Sequence, residues 1–400
     1  MIGNSQINGN LEGKVAEALD RFAIELPSWG FGNTGTRFGK FIDPTAAATT
    51  GEKIRDASEV HRLVGCCPTV AVHVLWDFPD LAGVDDVVAL AADVGIQIGA
   101  VNPNLFQDQI YKYGSLANPD SDVRRSAVAH CLDSVDLAKK TGSRDISLWL
   151  ADGSNYPGTA NIRHRRTWLK EGLREIHDRL ASDQRLLVEY KPFEPAFYHT
   201  DIADWGMALL LAREAGAQAR VLVDTGHHYL GQNIEQIVAW LLQDEMLGGF
   251  HFNDRRYADD DLTLGSIDPY QVFRIFHEIL HFEWETGQRA DIAYMIDQSH
   301  NLKPKVEAMV QTVVTAQDLY ARAVAVNHDQ LALYQAQDDL VGAEECLKKA
   351  FYSDVTHFIH EWRVTNGLPA DPLAELRKSG YLKKIAEERK GREQATQSYA

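Results

Sequence analysis

Cysteine is scarce in this sequence, with four in 400 residues: Cys66, Cys67, Cys131 and Cys346. Two are adjacent and none pairs at C-x-x-C distance, so a zinc ribbon, a redox dithiol and a disulfide framework are all disfavoured, and four reduced thiols are expected. Basic residues are outnumbered, 40 Lys and Arg against 57 Asp and Glu, for a net charge of −17. A protein that grips phosphate backbones needs a basic face, which argues against a general nucleic-acid partner. No apolar run approaches the roughly 18 residues of a membrane-crossing helix, so no membrane partner is expected. The opening MIGNSQINGN lacks the charged and apolar regions of a secretory signal, and a cytoplasmic protein is the expectation. Neither GxGxxG nor GxxxxGK followed by Ser or Thr occurs, so a doubly wound nucleotide-binding sheet would lack its phosphate loop.

What is present is a regular alternation. Hydrophobic residues make up 45% of the chain and collect in eight short runs, near residues 24, 72, 98, 147, 187, 222, 250 and 294. Runs of this length bounded by turn residues read as buried strands. Each is followed by helical spacing: Glu52–Val64, Val84–Val94, Ser121–Lys140, Arg165–Leu180, Asp201–Glu214, Ile234–Gln243, Pro269–Phe282 and Lys303–Arg322. A short helix, Gly13–Arg21, precedes the first run, and the Gly- and Thr-rich GFGNTGTRFGKF after it should hold no regular element. Eight strand–helix units with continuous apolar strands define an α/β protein of the (β/α)8 barrel, or TIM barrel, type. The barrel is assigned to residues 1–326, and residues 327–400, helical without strands and charged at the end, to a C-terminal helical extension suited to oligomer contacts.

Polar chemistry gathers where the later runs end. The fifth run delivers Glu189, Lys191 and Glu194; the sixth Asp224, His227 and His228; the seventh His251, Asn253 and Asp254, with Asp259, Asp260 and Asp261 close behind; the eighth Asp297, Ser299 and His300. Carboxylates with imidazoles suit divalent metals. The count is too rich for one tetrahedral ion. One set, Glu189, Asp224, His251 and Asp297, suits a first ion, and His227, Asp259 and Asp261, sharing Asp224, suit a second. Gly226 would let the chain turn sharply enough for Asp224 and His227 to address one centre. Lys191, inward on its strand, has two readings: a charge neutralised by Glu189 and Glu194, or a group that polarises a substrate oxygen beside the metal. His73 and Asp77 are placed to orient each other, and Trp29, Trp76 and Trp149 to wall a pocket against an apolar sugar face.

The motifs VEYKPFEP, VDTGHH, GGFHFND with the following DDD, and MIDQSHN resemble the L-rhamnose isomerases of the bacterial type, themselves similar to the xylose isomerase barrels. The resemblance runs from about Phe22 to the C-terminal helices. It implies a (β/α)8 barrel, two Mn-type ions per subunit (Co, Mg or Zn being the other options) and a homotetramer. By the same resemblance Glu189, Asp224, His251 and Asp297 match a structural metal site, and His227, Asp259 and Asp261 a catalytic one bridged by Asp224. Lys191 matches a lysine beside the substrate's O1, His73 a histidine that binds the sugar, and Phe38 an aromatic lent to a neighbouring subunit's pocket. Lys191, His73 and Asp261 are then the catalytic candidates, with Trp76, Trp149, His227 and Phe38 contacting substrate.

The activity this implies is metal-dependent aldose–ketose isomerisation, L-rhamnose to L-rhamnulose, by a metal-assisted hydride shift between C2 and C1. Three alternatives compete: a related isomerase or epimerase of another sugar, a metal-dependent hydrolase on the same barrel, and a catalytically silent scaffold. An epimerase needs two carboxylates on opposite faces of one carbon, and a barrel nuclease needs a basic groove. A scaffold has no reason to keep seven metal-type side chains at strand ends.

Overall fold

In a computed structural model of the protein, residues 4–33, 35–36, 39–79, 83–192, 198–257, 259–300 and 302–392 are described. Eight parallel strands form one sheet in chain order: β1 (Leu26–Pro27), β2 (Thr69–His73), β3 (Gln97–Asn102), β4 (Asp145–Leu148), β5 (Arg185–Glu189), β6 (Ala219–Asp224), β7 (Leu247–Phe252) and β8 (Ala293–Ile296). A parallel bridge from Glu25 to Met295 joins the first strand to the last and closes the barrel. Helices alternate with the strands around the outside: α1 (Asn4–Arg21), α2 (Thr50–Val64), α3 (Val84–Asp93), α4 (Ser121–Thr141), α5 (Ile162–Asp178), α6 (Trp205–Ala215), α7 (Ile234–Gln243), α8 (Pro269–Thr286) and α9 (Lys305–Val324). The chain is thus the (β/α)8 barrel that its alternating runs predict.

Two local expectations are corrected. The first helix begins at Asn4, nine residues before Gly13. The segment after β1 is not free of regular structure, since Gly35–Thr36 pairs antiparallel with Gly39–Lys40.

Strand periodicity explains where the site forms. Val70, Val72, Leu186, Val188, Val221 and Val223 belong to the large core between barrel and helices, whereas Ala71, Ala100, Leu187, Leu222 and Met295 pack with Trp29 and Trp76 inside the barrel. Side chains two residues apart share a face of a strand. The residue two places beyond each inner one therefore also points inward, one layer nearer the C-terminal mouth: His73, Asn102, Glu189, Asp224 and Asp297. Barrel enzymes build their sites at that end.

Beyond α9 the chain continues as α10 (His328–Ala336), α11 (Leu340–Phe351), α12 (Thr356–Thr365), α13 (Pro372–Ser379) and α14 (Tyr381–Glu388). These helices pack back onto the barrel's outer ring. Trp362 Nε1 donates to Asp20 Oδ1 at 2.7 Å, and Arg363 Nη2 to Gln317 Oε1 at 2.6 Å. The last clasp is buried. Arg389 donates from both terminal nitrogens to Asp56 on α2, at 2.8 and 2.9 Å, and also to the carbonyl of Thr45, while the Tyr381 hydroxyl donates to Asp56 at 2.8 Å.

Asp56 is fully buried, so removing its cation strands a charge away from water. Arg389→Ala is expected to destabilise the fold by about 3–5 kcal/mol, read as a lowered midpoint in chemical denaturation. An unchanged midpoint would mean that the clasp is dispensable.

Candidate active site

The mouth of the barrel holds a cavity of about 200 Å³ with two unlike walls. One is acidic. Asp224, the last residue of β6, is in direct register with His251 of β7, and Glu189 lies opposite Leu222 in the β5–β6 pairing. Ligand atoms of Glu189, Asp224, His251 and Asp297 all lie within 4.8 Å of one another. His251 Nδ1 is 3.2 Å from Glu189 Oε2, 3.6 Å from Asp297 Oδ2 and 4.0 Å from Asp224 Oδ2.

These donors fit a metal, because they are left without other work. Both ring nitrogens of His251 and Oδ2 of Asp224 are buried and make no hydrogen bond, a costly condition unless a cation fills the space between them. The remaining oxygens are tethered. Asp224 Oδ1 accepts from Gly226 N at 2.7 Å and from Asn253 Nδ2 at 2.9 Å, and Asp297 Oδ1 accepts from Trp29 Nε1 at 2.8 Å. Burial would raise Glu189, yet the adjoining His251 and His227 outweigh it and hold the carboxyl at about 2. For His251 burial is likewise overcome, by Glu189 first, and its pKa rises to about 9. The pocket asks for positive charge.

The second proposed set lies beside the first without forming a comparable cluster among the described residues. His227 Nε2 contacts Asp259 Oδ1 at 2.8 Å and stands 3.9 Å from Asp224 Oδ2, while its Nδ1 is 3.1 Å from Glu189 Oε1. Asp261 accepts from Ser299 Oγ at 3.4 Å. Asp259 and Asp261 both have left-handed backbones, φ of 50° and 48°. Asp tolerates that region better than most residues, and two such positions in one short loop mark a local constraint of the kind found at functional sites. Gly226 is required for another reason than the one expected. Its φ is not positive; instead a Cβ there would lie 2.3 Å from Asn253 Oδ1 and 3.2 Å from Asp224 Oδ1.

Lys191 is 7% exposed, and its Nζ lies 2.5 Å from Asp259 Oδ2 and 5.0 Å from the centre of the Trp149 ring. Among the described residues its ion-pair partner is therefore Asp259 and not Glu189; Glu194 lies outside the described residues, as does Phe38.

The other wall is aromatic. The His73 ring centre is 4.1 Å from that of Trp76, 4.7 Å from Trp29 and 6.0 Å from Phe106, which in turn sits 4.9 Å from Trp149. Trp76 stands behind His73, its indole donating to Gln107 Oε1 at 2.6 Å. The expected pairing of the His73 and Asp77 side chains does not form. Asp77 Oδ2 accepts from the His73 backbone N–H at 2.9 Å and from Ser28 Oγ at 2.6 Å, and Oδ1 from Lys53 Nζ at 2.8 Å. The buried lysine draws the carboxylate away, and the imidazole is left with Nδ1 unpartnered. Burial and Lys53 lower its pKa to about 3, so the ring is neutral.

His228 is no part of the cavity: its Nε2 pairs with the hydroxyl of Tyr190 at 2.6 Å, and Tyr190 belongs to the core between barrel and helices. Asp254 accepts from the N–H groups of Ile267 and Asp268, which fixes a loop. His300 pairs with Gln298 at 3.0 Å. Sequence reasoning missed Asn102, Phe106 and Ser147, all lining the cavity. The same strand-end rule that picked out Asp224 would have reached Asn102 and Ser147, while Phe106 lies in a loop with no such signal.

A parallel barrel with a carboxylate–imidazole cluster at its mouth defines a class, metal-assisted enzymes of small polar substrates. The chain belongs to the xylose isomerase-like TIM barrel family, whose match spans residues 68–302. Over 94% of its length it is 39% identical to a probable sugar isomerase of Rhizobium meliloti (strain 1021), covering 88% of that protein. A second probable sugar isomerase, from Mesorhizobium japonicum, is 38% identical over the same shares of the two chains. Among solved structures, an L-ribulose 3-epimerase shares the fold at a TM-score of 0.53 and 14% identity, over 82% of this chain and 97% of the other. The curated relatives are sugar isomerases, and the xylose isomerase-like family is typically dependent on divalent metal. No helix among the described residues is long and apolar enough to cross a membrane.

Proposed function

We propose that the protein is a metal-dependent aldose–ketose isomerase whose first substrate is L-rhamnose, converted to L-rhamnulose. The observation that carries this reading is the buried Glu189–Asp224–His251–Asp297 cluster beside Lys191, facing aromatic rings across a cavity that suits a small sugar. Glu189, Asp224, His251 and Asp297 would hold one divalent ion, and His227, Asp259 and Asp261, with Asp224 shared, a second. Charge supports two. Among the described residues, five carboxylates against one lysine leave four negative charges once the histidines are in the neutral form that ligates, which two divalent ions neutralise. Oxygen-rich donor sets with one imidazole each suit manganese. When bound, the ions supply Lewis acidity to vicinal substrate oxygens.

The protein's own groups do the rest. Lys191 places a positive charge where O1 becomes negative in the transition state. His73, neutral and with a free Nδ1, hydrogen-bonds a sugar hydroxyl, and Trp29, Phe106 and Trp149 cover an apolar face and exclude water. Asp261, a proposed ligand of the second ion that among the described residues accepts only a long bond from Ser299, is also the carboxyl placed to pass a proton between O1 and O2. Among the described residues the remaining carboxylates of the site are engaged by His, Lys, Asn or Trp, which leaves none there to abstract the C2 hydrogen and supports its direct transfer to C1. A homotetramer and a cytoplasmic location complete the proposal.

The test is a panel of aldoses and ketoses, L-rhamnose and D-xylose included, supplied to the Mn²⁺-loaded enzyme in D2O and followed by NMR. Ketose formed from L-rhamnose with little deuterium at C1 supports the reading. Conversion confined to inversion at C3 of ketoses would replace it with an epimerase, and substantial deuterium at C1 in one turnover would rule out the direct transfer.

A further inference from the structure

Away from the barrel mouth, three histidines meet between α8 and α10. His277 and His281 are four residues apart in the stretch His277-Glu278-Ile279-Leu280-His281, so they share one face of α8. His328, the first residue of α10, brings a third imidazole against that face. His281 Nδ1 and His328 Nδ1 are 3.3 Å apart. The His277 ring stacks on that of His328, centres 5.3 Å apart and planes 9° from parallel. Trp284, 42% exposed, stacks on His281 from the outer side.

Two nitrogens at that distance suit a shared proton or a shared metal. Ligands on a tetrahedral ion at metal–nitrogen distances of about 2.0–2.1 Å sit roughly 3.3–3.4 Å from each other. His277 decides between the two. It is 4% exposed, and its Nδ1 is buried with no hydrogen-bond partner. A proton shared by the other two rings leaves that nitrogen unsatisfied, whereas an ion gives it a partner.

We propose that His277, His281 and His328 form a second, separate metal site, taking one zinc-class ion that clamps the barrel helix α8 to the C-terminal helix α10. His281 and His328 ligate through Nδ1 nearly as they stand. His277 joins by a turn of its ring, because among the described residues only the quartet at the barrel mouth already has its ligand atoms within 4.8 Å. An all-imidazole donor set favours Zn, Cu or Ni over hard Mg or Ca, unlike the carboxylate-rich set in the barrel. Burial, with the neighbouring imidazoles, lowers His277 to about 3 and His328 to about 4, so both are in the neutral, ligating form at pH 7. Lys14 opposes a cation here and Asp329 favours one. His-Glu-x-x-His is also the spacing of zinc-binding helices in peptidases. In this chain Glu278 instead interacts with Glu235 of α7, its carboxyl raised by burial to about 7, so the role assigned is a structural clamp and not a hydrolytic centre.

The test uses the full-length protein, stripped with chelator, refilled with Mn²⁺ and titrated with Zn²⁺. One zinc equivalent is expected to bind beyond what the barrel takes, and to raise the melting temperature. His281→Ala and His328→Ala should weaken that uptake at least ~100-fold while leaving Mn²⁺-supported isomerisation intact. His281→Gln with His328→Gln, closer in size, serves if the alanine variants do not fold. Because zinc also competes for the barrel, the titration is repeated with Asp224→Asn, where one equivalent should still bind. Equal zinc uptake by the wild type and the folded double glutamine variant, or no zinc bound outside the barrel, would overturn the proposal.

Discussion

Asp224→Asn is expected to purify without either barrel ion and with activity reduced by more than ~10³-fold, several kcal/mol of lost charge stabilisation. Among the described residues, a single oxygen of Asp224, Oδ2, lies 4.0 Å from His251 Nδ1 and 3.9 Å from His227 Nε2, whereas Glu189 meets the two rings through different oxygens. An amide places a neutral group, and in one orientation a donor, where a cation needs a lone pair. Misfolding should not confuse the result. Burial and the surrounding carboxylates raise Asp224 to about 7 in the metal-free protein, so a neutral amide of the same shape relieves repulsion there, and the metal-free melting temperature should not fall. Metal analysis of the purified variant decides the matter. Two tightly bound ions would refute the bridge. Asp261→Asn should by contrast weaken one ion and spare the other, and equal loss of both would undo the division into two sites.

Lys191→Met is expected to lower kcat by at least ~10²-fold, as loss of one preorganised charge does elsewhere, with metal content little changed. The methionine keeps the unbranched stem and gives up the ammonium, which lies 5.0 Å from the centre of the Trp149 ring. Asp259 loses its lysine but keeps His227 at 2.8 Å, so the loop should hold. A transition-state role predicts that kcat and kcat/KM fall together. If kcat is unchanged and only stability drops, Lys191 is no more than the counter-charge of Asp259.

The sequence by itself determined the architecture and the members of the carboxylate–imidazole cluster at the barrel mouth. Eight apolar runs separated by helical spacing leave few alternatives to a parallel barrel, because fully buried strands need helices on their outer face. The period of two along each strand then carries inward residues to the mouth, which is why Glu189, Asp224, His251 and Asp297 are legible as a set in the sequence. The partnerships among side chains were not legible. Nothing in the spacing says that Lys53, from a helix, would take the Asp77 carboxylate from His73. Nor does it say that Asp259 would pair with Lys191, or that His228 would turn away to Tyr190 while its neighbour His227 faces the cavity. Each outcome is a competition between groups far apart in the chain for one buried hydrogen bond, settled by distances that exist only once the barrel has closed. The same holds for Arg389 and Asp56, 333 residues apart, and for His281 and His328, 47 apart. Periodicity reports which face of a strand or helix a residue occupies, whereas only tertiary packing decides which residue it meets there.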